Sequence, residues 1–487
     1  MTGALVLRGD ARRLPLADES VDLIITSPPY FGQRSYTDGG EHYDGQIGDE
    51  PSPAEYLAEM HGAMHDWWRV LKPTGSCFVN IGDKRSGSGA PGTTSGLGAR
   101  PQGERTGIPA TRNQADTDRS RSKNVRARAG YTREAFGRAK SRQALPERFV
   151  IGCEDGAADP DGIGWIYRQQ IVWDKPNGMP ESVKDRTRDN FEPWYHLTKD
   201  GDYYTAIDEL RERAATSDPE DPSYRANGKS TARTKGLTAP PGQQVPSLVD
   251  APREATHPLG TLPGSVWRIS TEPLVIPKAL ATQHYAAFPI EWPRRLILGW
   301  SPPAICLECG QGRAPVVDVE HELYREAGAT GRPKRQDLDG SHGGGFNVEG
   351  YPQTRATAQI LGYACACTPY TDHPERRGST FSPDADRRGG ATGRRHEDDM
   401  AARAARGPVR EYHLQGWTPP PSRPAVVLDP FGGTGTTAMV ARALGRVGIS
   451  VDLSADYCRV ARWRIFESGH GAKAVGRTNR ERQGTLL

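Results

Sequence analysis

The chain has 487 residues, of which 35% are hydrophobic, and it carries 56 glycines and 40 prolines; this suits one large α/β domain with additions, or two to three domains, with much loop. Lys+Arg 63 against Asp+Glu 60 leaves a net charge of only +3, so bulk charge announces no nucleic-acid partner and its distribution has to be read instead. Seven cysteines, four of them in two close pairs, argue against a secreted disulfide framework and for a metal site in a reducing compartment.

The first residues lack an apolar core of signal-peptide length, and no segment reaches the roughly 18 apolar residues of a membrane span. A soluble, cytoplasmic protein with no membrane partner is expected. Leu5, Val6 and Leu7 read as a short strand ending at Gly9 and Asp10. The apolar run Val21, Leu23, Ile24, Ile25 reads as a buried strand, and Pro28 and Pro29 directly behind it forbid any continuation of the ladder. The motif Thr26-Ser27-Pro28-Pro29-Tyr30 must therefore be a stiff loop at the carboxyl end of a strand, where open α/β sheets place their chemistry. Its hydroxyl, proline-fixed carbonyl and aromatic ring suit a flat, amino-bearing heterocycle.

From Ser52 the residues Tyr56, Leu57, Met60, Met64, Trp67, Trp68 and Leu71 recur at helical spacing, with Pro53 in the first turn. A strand over residues 76–81 follows, ending at Gly82 and Asp83. Residues 84–148 hold 15 basic against 5 acidic residues, a net +10, with almost no aliphatic periodicity. They read either as a solvated insertion of no specific role or as a basic arm that tracks phosphates. Strand-like stretches return at 165–173, 195–198 and 203–204, and residues 211–260 are polar and proline-rich, a linker or surface excursion. Residues 265–269 restart the pattern, and a helix holds Trp292, Leu296, Ile297 and Leu298.

Cys306 and Cys309 have the C-x-x-C spacing that brings two thiolates to one tetrahedral ion, and Cys365 and Cys367 form a closer second pair. The alternatives are four unrelated thiols or, the reading preferred, a structural zinc site. At the far end, a strand over 426–428 runs into Asp429-Pro430-Phe431-Gly432-Gly433-Thr434-Gly435-Thr436-Thr437 and a helix, and a second strand ends at Asp452. Glycines let backbone approach a ligand, a helix start favours a carboxylate or phosphate, and an acid at the next strand end can accept from ribose hydroxyls. The glycine spacing fits neither a P-loop nor G-x-G-x-x-G.

With both ends read, the 429–437 loop resembles the cofactor loop of S-adenosylmethionine-dependent amino DNA methyltransferases, and Ser27-Pro28-Pro29-Tyr30 resembles their catalytic motif. Catalytic motif first and cofactor loop last is the permuted order of the family's beta group, including the N4-cytosine methyltransferases of restriction-modification systems. The resemblance implies an α/β, Rossmann-like sheet, mostly parallel with helices on both faces, in circularly permuted motif order. It implies that Asp10 meets the cofactor's adenine and that His284, Phe288 and Pro289 close over its methionine end. Asp429, Pro430, Phe431, Gly432, Gly433, Thr434, Gly435, Thr436 and Asp452 would line the cofactor; at Asp452 the family more often has Glu. Residues 173–186 look like a further family signature. Ser in the first motif position goes mostly with cytosine N4 and Asp mostly with adenine N6, which favours N4 and keeps N6 as the alternative.

On this reading residues 1–83 and 149–210 build the catalytic half, 261–300 return to the core ahead of the cofactor half, and 423–470 form the cofactor half. Residues 84–148 are a basic insertion, 211–260 a linker or target-recognition insertion, 301–370 a zinc-binding insertion, 371–422 a linker and 471–487 a tail. Double-stranded DNA is the expected partner, together with a cognate restriction endonuclease or other defence proteins. A DNA-binding regulator without turnover and an RNA or protein methyltransferase are the rival readings.

Overall fold

In the computed structural model, Leu5, Val6 and Leu7 lie in strand β1 (Ala4–Arg8), and the run ahead of the prolines forms β2 (Val21–Thr26), buried along its whole length. Helix α1 (Pro53–Val70) starts where the sequence places it: the Ser52 hydroxyl accepts from the Glu55 N–H, and Pro53 occupies the first turn, where its missing donor costs nothing. The buried residues Tyr56, Met60, Ala63, Met64, Trp67 and Val70 recur every three or four positions, so one face of α1 packs on the core. There follow β3 (Leu71–Asn80), α2 (Leu145–Glu154), β4 (Ile166–Asp174), β5 (Phe191–Thr198), β6 (Val266–Arg268) and α3 (Glu291–Trp300). Farther along come β7 (Ala314–Arg325), β8 (Gln353–Ala364), β9 (Tyr370–Arg377), β10 (Pro408–Tyr412), β11 (Val426–Asp429), α4 (Thr436–Ala443), β12 (Val447–Asp452) and α5 (Ala455–Phe466).

The structure describes residues 3–32, 37–38, 41–42, 45–86, 140–178, 183–212, 259, 262–280, 287–325, 353–377, 408–472 and 474–475. The readings made for most of the basic insertion 84–148, for most of 211–260, for His284 and for most of the 471–487 tail fall outside the described residues.

Two units emerge, the first comprising Met1–Thr205, Gly264–Ile305 and Arg423–Leu487. Its sheet has the order β1-β12-β11-β2-β3-β5-β4-β6. The strands from β1 to β3 are parallel, pair by pair. The sheet is nonetheless mixed, because β5 runs antiparallel to both β3 and β4. A parallel return needs a long crossover, usually a helix, and none lies between β4 and β5 among the described residues. Helices cover both faces: Cys77 and Val79 of β3 join the core built on α1, whereas Phe78 between them packs edge-on against Trp300 of α3, 4.9 Å between ring centroids. Helix α4 lies so close on β12 that a Cβ at Gly448 would come within 2.4 Å of the Ala438 carbonyl oxygen.

Segments from the two ends of the chain meet in the middle of this sheet. Val427 and Leu428 of β11 pair with Leu23 and Ile24 of β2. Of the paired tryptophans, Trp67 is fully buried and donates its indole N–H to the Ala11 carbonyl at 2.9 Å, and Trp68 packs edge-on to Trp165. Residues 203–204, expected as a strand, form none. Tyr203 instead lies under the Arg168 guanidinium, and the Tyr204 N–H donates to Thr74 O.

The second unit, Ala206–Pro263 and Cys306–Ser422, contains two antiparallel ribbons, β7 with β8 and β9 with β10. The span between the two cysteine pairs is rich in glycine and arginine. Its ends are the twelve-residue strands β7 and β8, one leaving the first cysteine pair and the other entering the second.

Candidate active site

A cavity of about 370 Å³ in the first unit brings the two ends of the chain together. One wall holds Ser27, Pro28, Pro29, Tyr30 and Asn80, and another holds Pro430, Phe431, Gly432, Gly433, Thr434, Thr436 and Asp452.

The first wall grows from the end of β2. The Thr26 hydroxyl donates to Asp429 Oδ1 at 2.7 Å, tying the last residue of β2 to the last residue of β11. Beyond it the Tyr56 hydroxyl donates to the Pro29 carbonyl at 3.0 Å. The Pro28 carbonyl has no hydrogen-bond donor among the described residues. Asn80, 1% exposed at the end of β3, sets the polarity of the loop. Its Nδ2 donates to the Pro193 carbonyl at 2.9 Å, which turns Oδ1 toward Ser27 Oγ at 3.2 Å and Tyr30 Oη at 2.8 Å. An amide oxygen only accepts, so the Ser27 proton points at Asn80 and the lone pairs of Ser27 are left for another donor. Tyr30 also reaches Glu192 Oε2 at 3.0 Å, and Glu192 pairs with Lys175, whose ammonium lies 4.1 Å from the centre of the Trp173 ring. The Tyr30 ring is further held by Gly82, where a Cβ would come within 2.3 Å of it.

The second wall is the glycine loop. The Gly432 N–H donates to Val451 O at 2.8 Å, and a Cβ at Gly432 would lie 1.9 Å from Ser450 Oγ, so the loop sits on β12 as only glycine permits. Gly435, with φ 76°, precedes the first turn of α4. Asp452 accepts from the N–H groups of Gly433 at 2.9 Å and Ser454 at 2.8 Å and lines the cavity. A carboxylate offers two oxygens and about four lone-pair directions. The loop glycines, the helix start and this acid form a cradle that fits the cofactor implied by the sequence.

Of the other residues expected at the cofactor, Phe288 lines the cavity whereas Asp10 and Pro289 do not. Asp10 is gripped by Arg12, whose Nη2 lies 2.8 Å from Oδ2; burial opposes ionisation, yet these bonds hold the Asp10 carboxyl below its ordinary value. The cavity is lined on either side of it by Gly9 and Ala11. Phe288 lines the cavity and meets Trp194 edge-on, while Pro289 is buried at the approach to α3.

Asp429 lies beneath the loop, 1% exposed, accepting from Thr26, Thr437 and the Phe431 N–H. Burial raises its carboxyl from the ordinary 3.8 to about 6 against the pull of those donors. An acid raised in the folded state holds its proton more tightly folded than unfolded. It therefore contributes stability that is fully present below about pH 4 and is lost as pH rises through about 6. Melting wild type and Asp429→Asn in parallel from about pH 4 to 7 should show the difference moving in the variant's favour as pH rises. A difference flat in pH would refute this role for the carboxyl.

The second unit holds its own cluster. The sulfurs of Cys306, Cys309, Cys365 and Cys367 all lie within 4.8 Å of one another, and Cys306 and Cys367 are 3.9 Å apart. Tetrahedral Zn–S bonds of about 2.3 Å put sulfurs about 3.8 Å apart, so the set fits such an ion. Two knuckles shape it: Gly310, φ 73°, donates to Cys306 O, and Thr368 Oγ1 accepts from the Cys365 N–H. The Ala366 N–H joins them by donating to Gln311 Oε1. Backbone N–H groups of Cys309 and Glu308 draw the Cys306 thiol down to about 6, whereas burial raises Cys365 and takes Cys367 up to about 12. A bound cation reverses the latter two.

Sequence reasoning missed Asn80, Tyr56, Lys175 and Glu192 as parts of the site. Asn80 carried a usable signal, a polar residue closing an apolar strand beside the β2 loop. Glu192 carried none, because its place depends on the reversed strand β5.

A family profile described as DNA methylase matches residues 21–306 and 411–462. The chain is 30% identical over 221 residues to Type II methyltransferase M.SfiI of Streptomyces fimbriatus, covering 45% of this chain and 41% of that protein. It is 34% identical over 216 residues to Type II methyltransferase M.Cfr9I of Citrobacter freundii, covering 44% and 60%. The alignments thus span less than two thirds of each of these relatives. Among solved structures, PvuII DNA methyltransferase (cytosine-N4-specific) aligns with a TM-score of 0.41 and 14% identity, covering 98% of this chain and 92% of that one.

Proposed function

The chain belongs to the DNA methylase family, and from that premise we propose that it transfers a methyl group from S-adenosylmethionine to the exocyclic amino group of a base in double-stranded DNA, with cytosine N4 the preferred acceptor. The observation that carries this reading is the pairing of two acceptors on one wall of the cavity, the Ser27 lone pairs and the undonated Pro28 carbonyl, opposite the glycine loop.

An exocyclic amino group is a weak nucleophile because its lone pair is delocalised into the ring. The cofactor supplies an electrophilic methyl on a sulfonium. Ser27 Oγ and Pro28 O accept the two amino N–H bonds, fix the nitrogen in line and favour departure of its proton. The rigid proline pair keeps those acceptors in place. A paired base cannot enter such a pocket, so it is flipped out of the duplex, and Tyr30 stacks against it. Gly432 to Thr436 and Asp452 would hold the cofactor, with Asp10 toward its adenine and Phe288 toward its methionine end. Cytosine N4 is favoured because Ser, rather than Asp, opens the motif.

The four cysteines hold a structural zinc ion; four thiolates leave no open position for catalysis. Target recognition falls to residues 175–260 and the cysteine-bearing 300–370 region, with the basic 84–148 segment on phosphates. Similarity to type II methyltransferases supports a cognate restriction endonuclease as partner. No described helix is long and apolar enough to cross a membrane; the cytoplasm and its nucleoid are the proposed location.

Incubation with methyl-labelled S-adenosylmethionine and duplex DNA, RNA or protein, followed by nucleoside mass spectrometry, tests the proposal. Label in N4-methylcytosine is expected. Label absent from DNA overturns the reading, and N6-methyladenine replaces cytosine with adenine as the acceptor.

A further inference from the structure

A buried arginine stands behind the glycine loop and is not part of the chemistry above. Arg464 of α5 is 4% exposed, and its Nη1 donates to Thr434 Oγ1 at 2.8 Å and to Thr436 Oγ1 at 2.6 Å. Both threonines line the cavity. No carboxylate among the described residues lies within ion-pair distance of Arg464, and its Nε has no partner. Burial pulls the guanidinium down to about 10 while the charge of Glu272, which also lines the cavity, acts the other way, so it remains cationic at neutral pH. A buried cation with no carboxylate in contact is costly unless an anion comes close to compensate it.

The hydroxyl geometry says where that anion sits. A threonine hydroxyl has one proton to give and two lone pairs. Here a lone pair of each hydroxyl is engaged by the cation, and neither proton has an acceptor among the described residues. Both protons are polarised by the guanidinium and available to the cavity at the start of α4, where Thr436 is the first helical residue. Unsatisfied N–H groups of that helix start add the same sign of potential.

We propose that Arg464 is a positioning residue that fixes the hydroxyls of Thr434 and Thr436 as donors to the carboxylate at the methionine end of the cofactor. The inference rests on the reading that this cavity takes S-adenosylmethionine. It assigns the carboxylate to one pair of hydroxyls and its selectivity to a cation that never touches the ligand.

The test is calorimetric binding of S-adenosylmethionine and of decarboxylated S-adenosylmethionine, which keeps the sulfonium and the adenosine, to wild type, Arg464→Met, Arg464→Lys and Thr434→Val. Wild type should prefer the carboxylated form. Arg464→Met should weaken that form about 10- to 100-fold, as loss of charge-assisted hydrogen bonds does, while moving the decarboxylated form less than about 2-fold. Arg464→Lys should recover part of the preference. Thr434→Val, which keeps shape and removes one donor, should lower the preference on its own even if Arg464→Met fails to fold. Equal affinity of wild type for the two ligands, or equal weakening of both in every folded variant, overturns the role given to Arg464 and leaves cofactor binding standing. No binding of either ligand to wild type overturns the cofactor reading instead.

Discussion

Ser27→Ala is expected to lower turnover about 100- to 1,000-fold, the range of a positioned proton acceptor, while the affinity for S-adenosylmethionine changes less than about 2-fold. The asymmetry follows from the bonds each side makes. Ser27 sits on the wall built by β2 and Asn80, and its hydroxyl gives its proton to Asn80 Oδ1. The glycine loop is held by Val451 O and Asp452 and takes no hydrogen bond from Ser27. Removing the hydroxyl leaves Asn80 Oδ1 with the Tyr30 donor, so no buried acceptor is orphaned and the melting temperature should move little. What is lost is one of two acceptors for the substrate nitrogen, an interaction needed most when that nitrogen gains positive charge, so the loss should appear in kcat more than in KM. Product nucleosides counted in single-turnover reactions, alongside equilibrium cofactor binding, separate the two quantities. Equal turnover in the variant would refute the role assigned to Ser27, and a parallel collapse of cofactor affinity would show that the wall is structural instead.

Much of this arrangement was legible because its signals are local. Pro28 and Pro29 end β2 by removing ladder donors, Ser52 and Pro53 open α1, and the glycines at 432 to 435 announce a backbone that something approaches closely. Each is a property of a few adjacent residues, so the chain itself displays it. The contents of the cavity between them were legible only in part. Lys175 and Glu192 meet Tyr30 because β5 enters the sheet reversed, and strand direction is decided by the path of the connection, which leaves no periodic trace. Asp429 was read as a cofactor contact from its place in the motif. The structure puts its carboxyl under the loop, bonded to Thr26 and Thr437, because the last inward position of a buried strand faces core rather than ligand. Arg464 shares α5 with Arg459 and Arg462, and nothing in composition separates the one arginine that turns inward. The β7–β8 ribbon was missed because glycine and arginine dominate the span between its strands and mask the alternation at each end.

Elemental analysis of the purified chain is expected to find one zinc per molecule, and replacing Cys306 and Cys309 by serine should abolish it. The cluster closes the base of a ribbon whose two strands are each twelve residues long and pair only with each other among the described residues. An isolated two-stranded ribbon is marginal in water. A metal bound by four thiolates contributes on the order of 10 kcal/mol in small zinc modules, which outweighs what the ribbon supplies alone. Serine cannot replace a thiolate toward zinc, so the double variant should lose the ribbon's order, seen as faster amide exchange across Ala314–Arg325 and Gln353–Ala364. The first unit has its own core and sheet, so calorimetric binding of S-adenosylmethionine should survive. Methylation of the cognate site should then fall at least about 10-fold, because recognition elements act by holding the flipped base in register and each lost base contact is worth about 1–3 kcal/mol. A chain that carries no zinc, or a Cys306→Ser/Cys309→Ser variant with unchanged exchange and unchanged site preference, would show that the four thiols neither bind metal for structure nor support recognition. Loss of cofactor binding together with the zinc would instead couple the cluster to the fold of the catalytic unit. The two results are distinguished by the same pair of measurements.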